Sequence, residues 1–213
     1  MQTNHDKAIV LDFDHTVFNT TKYVEKLKEV FKDKFDIDKE TFMEHREYVK
    51  ECCVVIDFDT FVDSFDYENK LELHHAIEKV VREHAHEWVF DDVIPFMEQY
   101  KDEYDMIVET HGDKEQQEEK INHSDLPHYV EYIISTEGKD KVFDELADKY
   151  DELHFFDDKA KNIDAVKQAH PEVTTYFVQR PEDHPYADDP SKCDCDDFVV
   201  KSLEEVELSS SWA

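Results

Sequence analysis

No stretch of this 213-residue chain approaches the roughly 20 consecutive apolar residues of a membrane-spanning helix. The first residues, MQTNHDKAIV, lack the long apolar core of a secretory signal. A cytoplasmic protein with no membrane partner is expected. Basic residues are scarce, with 24 Lys plus Arg against 55 Asp plus Glu and a formal net charge of −31. Such a surface repels a phosphodiester backbone, so no nucleic-acid partner is expected. Arginine is nearly missing, with only Arg46, Arg82 and Arg180. The cysteines are Cys52, Cys53, Cys193 and Cys195, and neither Cys-Cys nor Cys-Asp-Cys is a zinc-finger spacing. Reduced thiols are expected in a reducing compartment, with a soft-metal site at Cys193 and Cys195 as the alternative. The only glycines, Gly112 and Gly138, each follow an expected strand directly, where the chain must turn sharply. There is no internal repeat and no low-complexity segment.

What is present is enough to fold. Hydrophobic residues make up 39% of the chain, including 15 Phe and 10 Tyr, which can fill a core despite the charge. Dense like charge opposes compaction unless salt screens it, and at about 1 M salt the screening length falls to about 3 Å. A salt-rich host cytoplasm is therefore one expectation, and a merely acidic protein the other. A monomer or weak homodimer is expected.

Residues 7–13, KAIVLDF, read as a short buried strand that ends abruptly in acid. Residues 20–90 carry apolar residues every three or four positions and read as mostly helical. From residue 91 onward helix and strand alternate, with strands at DMIVETH, YVEYIIST, DELHFFDD and VTTYFVQ, and a final short strand and helix in DFVVKSLEEVEL. Alternation of this kind predicts an α/β fold: a Rossmann-like parallel sheet with helices on both faces. Residues 1–18 and 91–213 are expected to form that core domain. Residues 19–90 read as a small α-helical cap over the carboxyl edge of the sheet, the edge where such folds bind ligands.

Four strand ends present polar groups in chain order. Asp12, Asp14 and Thr16 close the first, Thr110 the second, Lys139 follows the third, and Asp157 and Asp158 close the fourth. A parallel sheet brings these ends to one edge. Two carboxylate pairs, a hydroxyl and an ammonium suit phosphoryl transfer if a hard cation offsets the charge. A carboxylate beside the cation can attack phosphorus. A second one can pass a proton to the leaving oxygen and later take one from water, while Lys and Thr hold the phosphoryl oxygens.

These residues carry a resemblance. Val10-Leu11-Asp12-Phe13-Asp14-His15-Thr16 resembles the first motif of the haloacid dehalogenase superfamily. The segments from Ile107 to Gly112, from Gly138 to Leu146 and from His154 to Ile163 resemble the second, third and fourth motifs, in the family's order. The likeness implies a Mg²⁺-dependent phosphatase acting on a small phosphorylated substrate through an aspartyl-phosphate. It implies Asp12 as nucleophile and metal ligand, and Asp14 as general acid/base that also gives the metal its carbonyl. Thr110 and Lys139 would bind phosphate, with Lys141 as the competing lysine. Asp157 would ligate Mg²⁺, and Asp158 would stand against the ion or just behind its ligands. Asn162 falls where some relatives carry a further acid. His15 stands where the family commonly has Gly, and His111 where it commonly has Asn, which makes His111 a further candidate phosphate contact. Other readings are a mutase, a catalytically weak binding or regulatory protein, and, against the charge, action on nucleic-acid ends.

Two features compete with this assignment. Ile56-Asp57-Phe58-Asp59-Thr60 copies the Asp-Phe-Asp pattern but sets its Thr one residue early, and is expected to be a turn in the cap. His74, His75, His84 and His86 crowd one expected helix, where a solvated or partly buried face is a simpler reading than a metal site. Phe61, Phe65, Tyr67 and Trp88 are expected to be core.

Overall fold

The computed structural model describes residues 5–53, 57–183 and 193–208. The strands are β1 (Lys7–Asp12), β2 (Asp105–His111), β3 (Glu131–Ser135), β4 (Glu152–Asp157), β5 (Thr174–Val178) and β6 (Phe198–Val200). They form one sheet in the order β3-β2-β1-β4-β5-β6, every pairing parallel. The expected α/β architecture is therefore present. The helices are α1 (Thr20–Phe35), α2 (Lys39–Cys52), α3 (Phe58–Ser64), α4 (Lys70–His84), α5 (Val93–Tyr100), α6 (Lys114–Asn122), α7 (Lys139–Ala147) and α8 (Ala160–Ala169). No helix among the described residues is long and apolar enough to cross a membrane.

Alternation along β1 sorts the core into two layers. Ile9 and Leu11 face a cluster that includes Phe96 and Met97 of α5 and Ile121 of α6. Ala8 and Val10 face the opposite cluster, with Phe143 and Leu146 of α7 and Ile163 and Val166 of α8. Side chains of period two thus cover both sheet faces with helices. Helices α1 to α4 pack on one another between β1 and α5. Their core, including Phe31, Phe42, Phe61 and Phe65, is continuous with the β1 layer through Phe13 and Phe18. Phe61, Phe65 and Trp88 are buried, as expected of core residues.

Two local expectations are corrected. The Asp57–Thr60 segment does not form a turn: Asp57 accepts hydrogen bonds from the Thr60 amide (2.6 Å) and hydroxyl (2.7 Å) and caps α3. Val54 to Ile56 lie outside the described residues. After β6 the chain makes only a 3-10 turn at Leu203–Glu205 rather than a helix. Neither glycine has a positive φ; that conformation belongs to His15, Asp36 and Asp125. The glycines answer crowding instead. A Cβ at Gly112 would lie 2.7 Å from the Gln117 side-chain nitrogen, and one at Gly138 would lie 2.5 Å from an Asp140 oxygen.

Arg180 ties the loop after β5 to the turn after β1. Its Nε donates to the Thr16 carbonyl (3.0 Å) and its Nη1 to Asp92 Oδ2 (2.5 Å), and the guanidinium lies 4.3 Å from the Phe90 ring centroid. Asp92 Oδ2 also accepts from the Ser202 hydroxyl and the Leu203 amide, both at 2.7 Å. Burial alone would raise the Asp92 carboxyl, but Arg180 and these donors hold it below its usual range. A carboxylate so depressed stabilises the fold above its unfolded pKa, near 4, and that contribution disappears as pH falls through the lower folded value. Asp92→Asn leaves a buried guanidinium uncompensated and should cost about 3–5 kcal/mol at neutral pH in urea unfolding. The gap to wild type should narrow as pH drops below about 4. An equal gap at both ends of that range would contradict the ion-pair account.

Candidate functional site

Register builds the site. In the parallel ladder Asp12 stands opposite Glu109, and Leu11 stands opposite Phe156, which sets Asp12 and Asp157 side by side. Counting by twos from the buried Val10, Ile107 and Phe155 places Asp12, Glu109 and Asp157 on the face that carries α7 and α8. Lys139, the first residue of α7, reaches them from that face. Its Nζ pairs with Asp12 Oδ1, with Glu109 Oε2 at 2.7 Å and with Asp157 Oδ2 at 2.9 Å. It also donates to the Glu109 carbonyl at 3.2 Å. Burial would lower the Lys139 ammonium, but Asp12, Asp157 and Glu109 carry it well above its ordinary value, so it is a cation. Lys141 points elsewhere: it is exposed and lies 3.6 and 3.5 Å from Asp140 and Asp144.

Asp157 is well satisfied. It accepts from the Lys159 amide (2.7 Å) and from Asn162 Nδ2 (3.1 and 3.0 Å) as well as from Lys139. Asp12 Oδ2 and both carboxylate oxygens of Asp158 are buried without a hydrogen-bond partner. Asp12, Asp157 and Asp158 each offer an oxygen within 4.8 Å of the others, the sole such metal-capable cluster among the described residues. Burial raises the Asp12 carboxyl, Lys139 opposes it and Asp157 reinforces it, leaving Asp12 at about 7. Burial, then Asp12 and Asp157, push Asp158 well above the carboxylate range. Lys159 also feels Asp12, Asp158 and Asp157, which raise it against burial. Fully ionised, the four carboxylates of Asp12, Glu109, Asp157 and Asp158 exceed the two ammonium groups of Lys139 and Lys159 by two charges. Buried, unpartnered hard oxygens with that excess suit a divalent cation that prefers oxygen ligands.

Asp14 stands apart from this cluster. It accepts from Lys120 Nζ at 2.7 and 2.9 Å, from Gln117 Nε2 at 2.9 Å and from the Thr20 hydroxyl at 2.6 Å. Burial would raise its carboxyl, but Lys120 and the other donors hold it far below the usual range. Lys120 itself is buried over the Phe13 ring, 5.2 Å from its centroid. The turn that presents Asp14 uses His15 at φ 68, a left-handed position that glycine adopts freely and histidine tolerates better than most residues. His15 Nδ1 lies 2.6 Å from Asp183 Oδ2, and the Thr21 hydroxyl donates to the same carboxylate. Thr110 is buried at the end of β2. His111 is exposed, with Nδ1 3.3 Å from the Glu137 carbonyl.

A cavity of about 350 Å³ opens between α1, α2, α3, α4 and this edge of the sheet. Asp14, His15, His111 and Lys159 line it on the sheet side, and Asp12 is not part of its wall. The histidines of α4 form no cluster: His74 pairs with Asp59 and Glu78 (3.1 and 3.3 Å), and His84 with Glu87 (3.2 Å). The four cysteines are free thiols; Cys193 lies 3.7 Å from Asp164.

Sequence reasoning missed Glu109, Thr20, Gln117, Lys120, Lys159 and Asp183. Glu109 had a signal, an acid inside an otherwise apolar strand directly before Thr110. Gln117, Lys120 and Ile121 are the buried residues of α6; that one-sided spacing is hidden in a helix that is polar all round.

No family model and no curated protein matches the sequence. Solved structures do match. A proposed haloacid dehalogenase-like hydrolase from Burkholderia xenovorans superposes with a TM-score of 0.77 at 19% identity, over 97% of this chain and 100% of that one. A proposed hydrolase of the same type from Bacillus subtilis, described as bound to magnesium, gives 0.63 at 14% over 95% and 97%. A proposed β-phosphoglucomutase from Thermotoga maritima gives 0.63 at 14% over 93% and 95%. Likeness at these identities is a likeness of architecture, and this chain has the haloacid dehalogenase-like fold.

Proposed function

We propose that this chain is a Mg²⁺-dependent phosphomonoester hydrolase that works through Asp12. The observation that carries the proposal is the free oxygen of Asp12, buried beside the unpartnered carboxylate of Asp158 and opposite Lys139. Asp12 and Asp158 would hold the ion, with Asp157 and the Asp14 carbonyl completing the protein's share. When bound, Mg²⁺ supplies Lewis-acid polarisation and offsets the charge of the phosphoryl group. One Asp12 carboxylate oxygen attacks phosphorus while the other stays with the cation, and the bond from phosphorus to the leaving oxygen breaks. Lys139, Lys159 and the Thr110 hydroxyl offset charge on the phosphoryl oxygens. Asp14 gives its proton to the leaving oxygen. Water then attacks phosphorus, Asp14 takes its proton, and phosphate leaves Asp12 as a free carboxylate. In the arrangement held by Lys120, Asp14 is an anion, which suits the half-reaction that deprotonates water. Donation to the leaving oxygen requires Asp14 first to take up a proton from solvent and to turn from Lys120 toward that oxygen. Helices α1 to α4 are read as the cap that selects the leaving group, and the substrate as a small phosphorylated metabolite.

The reading is tested with phenyl phosphate: hydrolysis should require Mg²⁺ and stop with a chelator. Absence of Mg²⁺-dependent hydrolysis across a panel of phosphorylated sugars, nucleotides and acids would defeat it. Binding is measurable without turnover. At a hundredfold excess over Kd, Mg²⁺ should add about 2.7 kcal/mol. For a chain of this size that is a rise of about 5–11 °C in melting temperature. Asp158→Asn should shrink the rise. Because burial lifts Asp12 to about 7, protons compete with the ion below that value. The rise should therefore fall as pH is lowered through neutrality, and a shift independent of pH would contradict the buried-carboxylate site.

A further inference from the structure

The cavity reverses the charge of the molecule. The chain carries more than two acids for every base, yet the cavity's charged lining residues are Arg46, Lys50, Lys120 and Lys159 against Asp14 alone. Two of the four bases are tied closely to acids: Lys120 holds Asp14 and Lys50 pairs with Glu47 at 2.6 Å. Lys159 feels the charges of Asp12, Asp158 and Asp157. Arg46 of α2 differs. Its Nη1 is buried and has no hydrogen-bond partner; its one ion pair among the described residues, to the exposed Glu47 carboxylate at 3.6 Å, is too long for a hydrogen bond. Its charge reaches across the cavity, where it adds to burial in lowering Lys120. The other two arginines are accounted for: Arg180 is bound to Asp92, and Arg82 is exposed on α4. Much of the rest of the wall is apolar, including Tyr23, Leu27, Phe42, Phe61 and Ile77.

We infer that Arg46 receives a second anionic group of the substrate. The cavity then takes a phosphate monoester whose leaving group is a compact hydrocarbon body ending in a carboxylate or a second phosphate. The first anion would be held at the Asp12 cluster once Mg²⁺ offsets the excess of carboxylates, so its identity rests on the phosphatase reading above. The apolar wall covers the body, and a planar guanidinium grips a carboxylate or phosphate through two parallel hydrogen bonds. About 350 Å³ accommodates a single-ring compound of this kind. A neutral leaving group would leave the buried Nη1 of Arg46 without a hydrogen bond, and that is the source of discrimination.

The test uses non-hydrolysable probes on the Mg²⁺-loaded protein: benzylphosphonate, the same compound with a para-carboxylate, and the same with a para-phosphonate. By calorimetry the better of the two dianionic arms should bind wild type about tenfold or more tightly than benzylphosphonate. The tighter arm identifies the second anion as carboxylate or phosphate. In Arg46→Met the gain should fall below about threefold. Arg46→Lys, which keeps the charge but loses the fork, should retain part of it, and Arg82→Met should retain all of it. Equal affinity of all three probes for wild type, or a gain that survives in Arg46→Met and Arg46→Lys, overturns the inference. Mg²⁺-dependent turnover of phenyl phosphate, of its para-carboxylate and of its para-phosphate is read in parallel. Turnover without the gain removes the subsite and leaves the phosphatase; the gain without turnover removes the phosphatase and leaves the subsite.

Discussion

Asp12→Asn should abolish phosphate-ester hydrolysis, lowering kcat by about 10⁴-fold or more while the protein stays folded. Asparagine is nearly isosteric with aspartate but carries no anionic oxygen to attack phosphorus. The side chain sits beside Asp157 and under Lys139, where burial already raises the acid to about 7. Removing its charge relieves repulsion among the acids, so loss of activity through unfolding is not expected, and unchanged thermal melting without Mg²⁺ checks this. Asp14→Asn separates proton transfer from attack. General acid–base transfer is worth about 10²–10⁴-fold. The loss should be near the upper end for an alkyl phosphate, whose leaving oxygen needs a proton, and smaller for nitrophenyl phosphate, whose leaving group departs as an anion. Full activity of Asp12→Asn would remove Asp12 as nucleophile whatever the fold.

Lys139→Met should produce a large loss of stability. It strips the common countercharge from Asp12, Glu109 and Asp157, all of them buried. Leaving buried charge unpaired costs about 3–5 kcal/mol, or a drop of about 6–20 °C in melting temperature for a chain of this size. The folded-state ammonium lies well above its unfolded value. Its contribution is thus fully present below the unfolded pKa near 10.4 and is lost only as pH rises beyond it through the folded value. Adding Glu109→Gln to Lys139→Met should restore part of the loss, because it removes one of the stranded carboxylates. Lys141→Met is the control. Its exposed partners on the same helix make it worth within about 0.5 kcal/mol. Equal effects of the two lysine variants would contradict the assignment of Lys139 to the acid cluster.

The two lysines illustrate where local pattern stops. Both lie in the first turn of α7, and nothing in GKDKVFDEL separates them beyond the start of the apolar stripe at Val142 and Phe143. The helix must dock on the β1–β2–β4 face before one ammonium lies against three acids and the other against Asp140 and Asp144. The two Asp-Phe-Asp copies make the same point from the other side. Around Asp12 the preceding residues enter a central parallel strand, so the acid emerges at the sheet's carboxyl edge. Asp57 instead bonds the amide three residues on and starts a helix. Identical letters take different roles because the neighbouring segments bury different surfaces.

What the amino-acid order determined unaided was the alternation of apolar strands and amphipathic helices, and with it a parallel sheet whose carboxyl edge collects Asp12, Asp14, Thr110 and Asp157–Asp158. Those conclusions depend on periods of two and 3.6 residues, which are local and readable. Only the tertiary structure decided that Glu109 shares Lys139, that Lys120 and Gln117 hold Asp14, and that Arg46 lines a cavity with a buried Nη1 that has no hydrogen bond. Each of those follows from which face a helix or strand presents to a segment tens of residues away. In α6, almost wholly polar, no hydrophobic stripe announces the buried side, and burial of Gln117 and Lys120 is set by the anion they meet there.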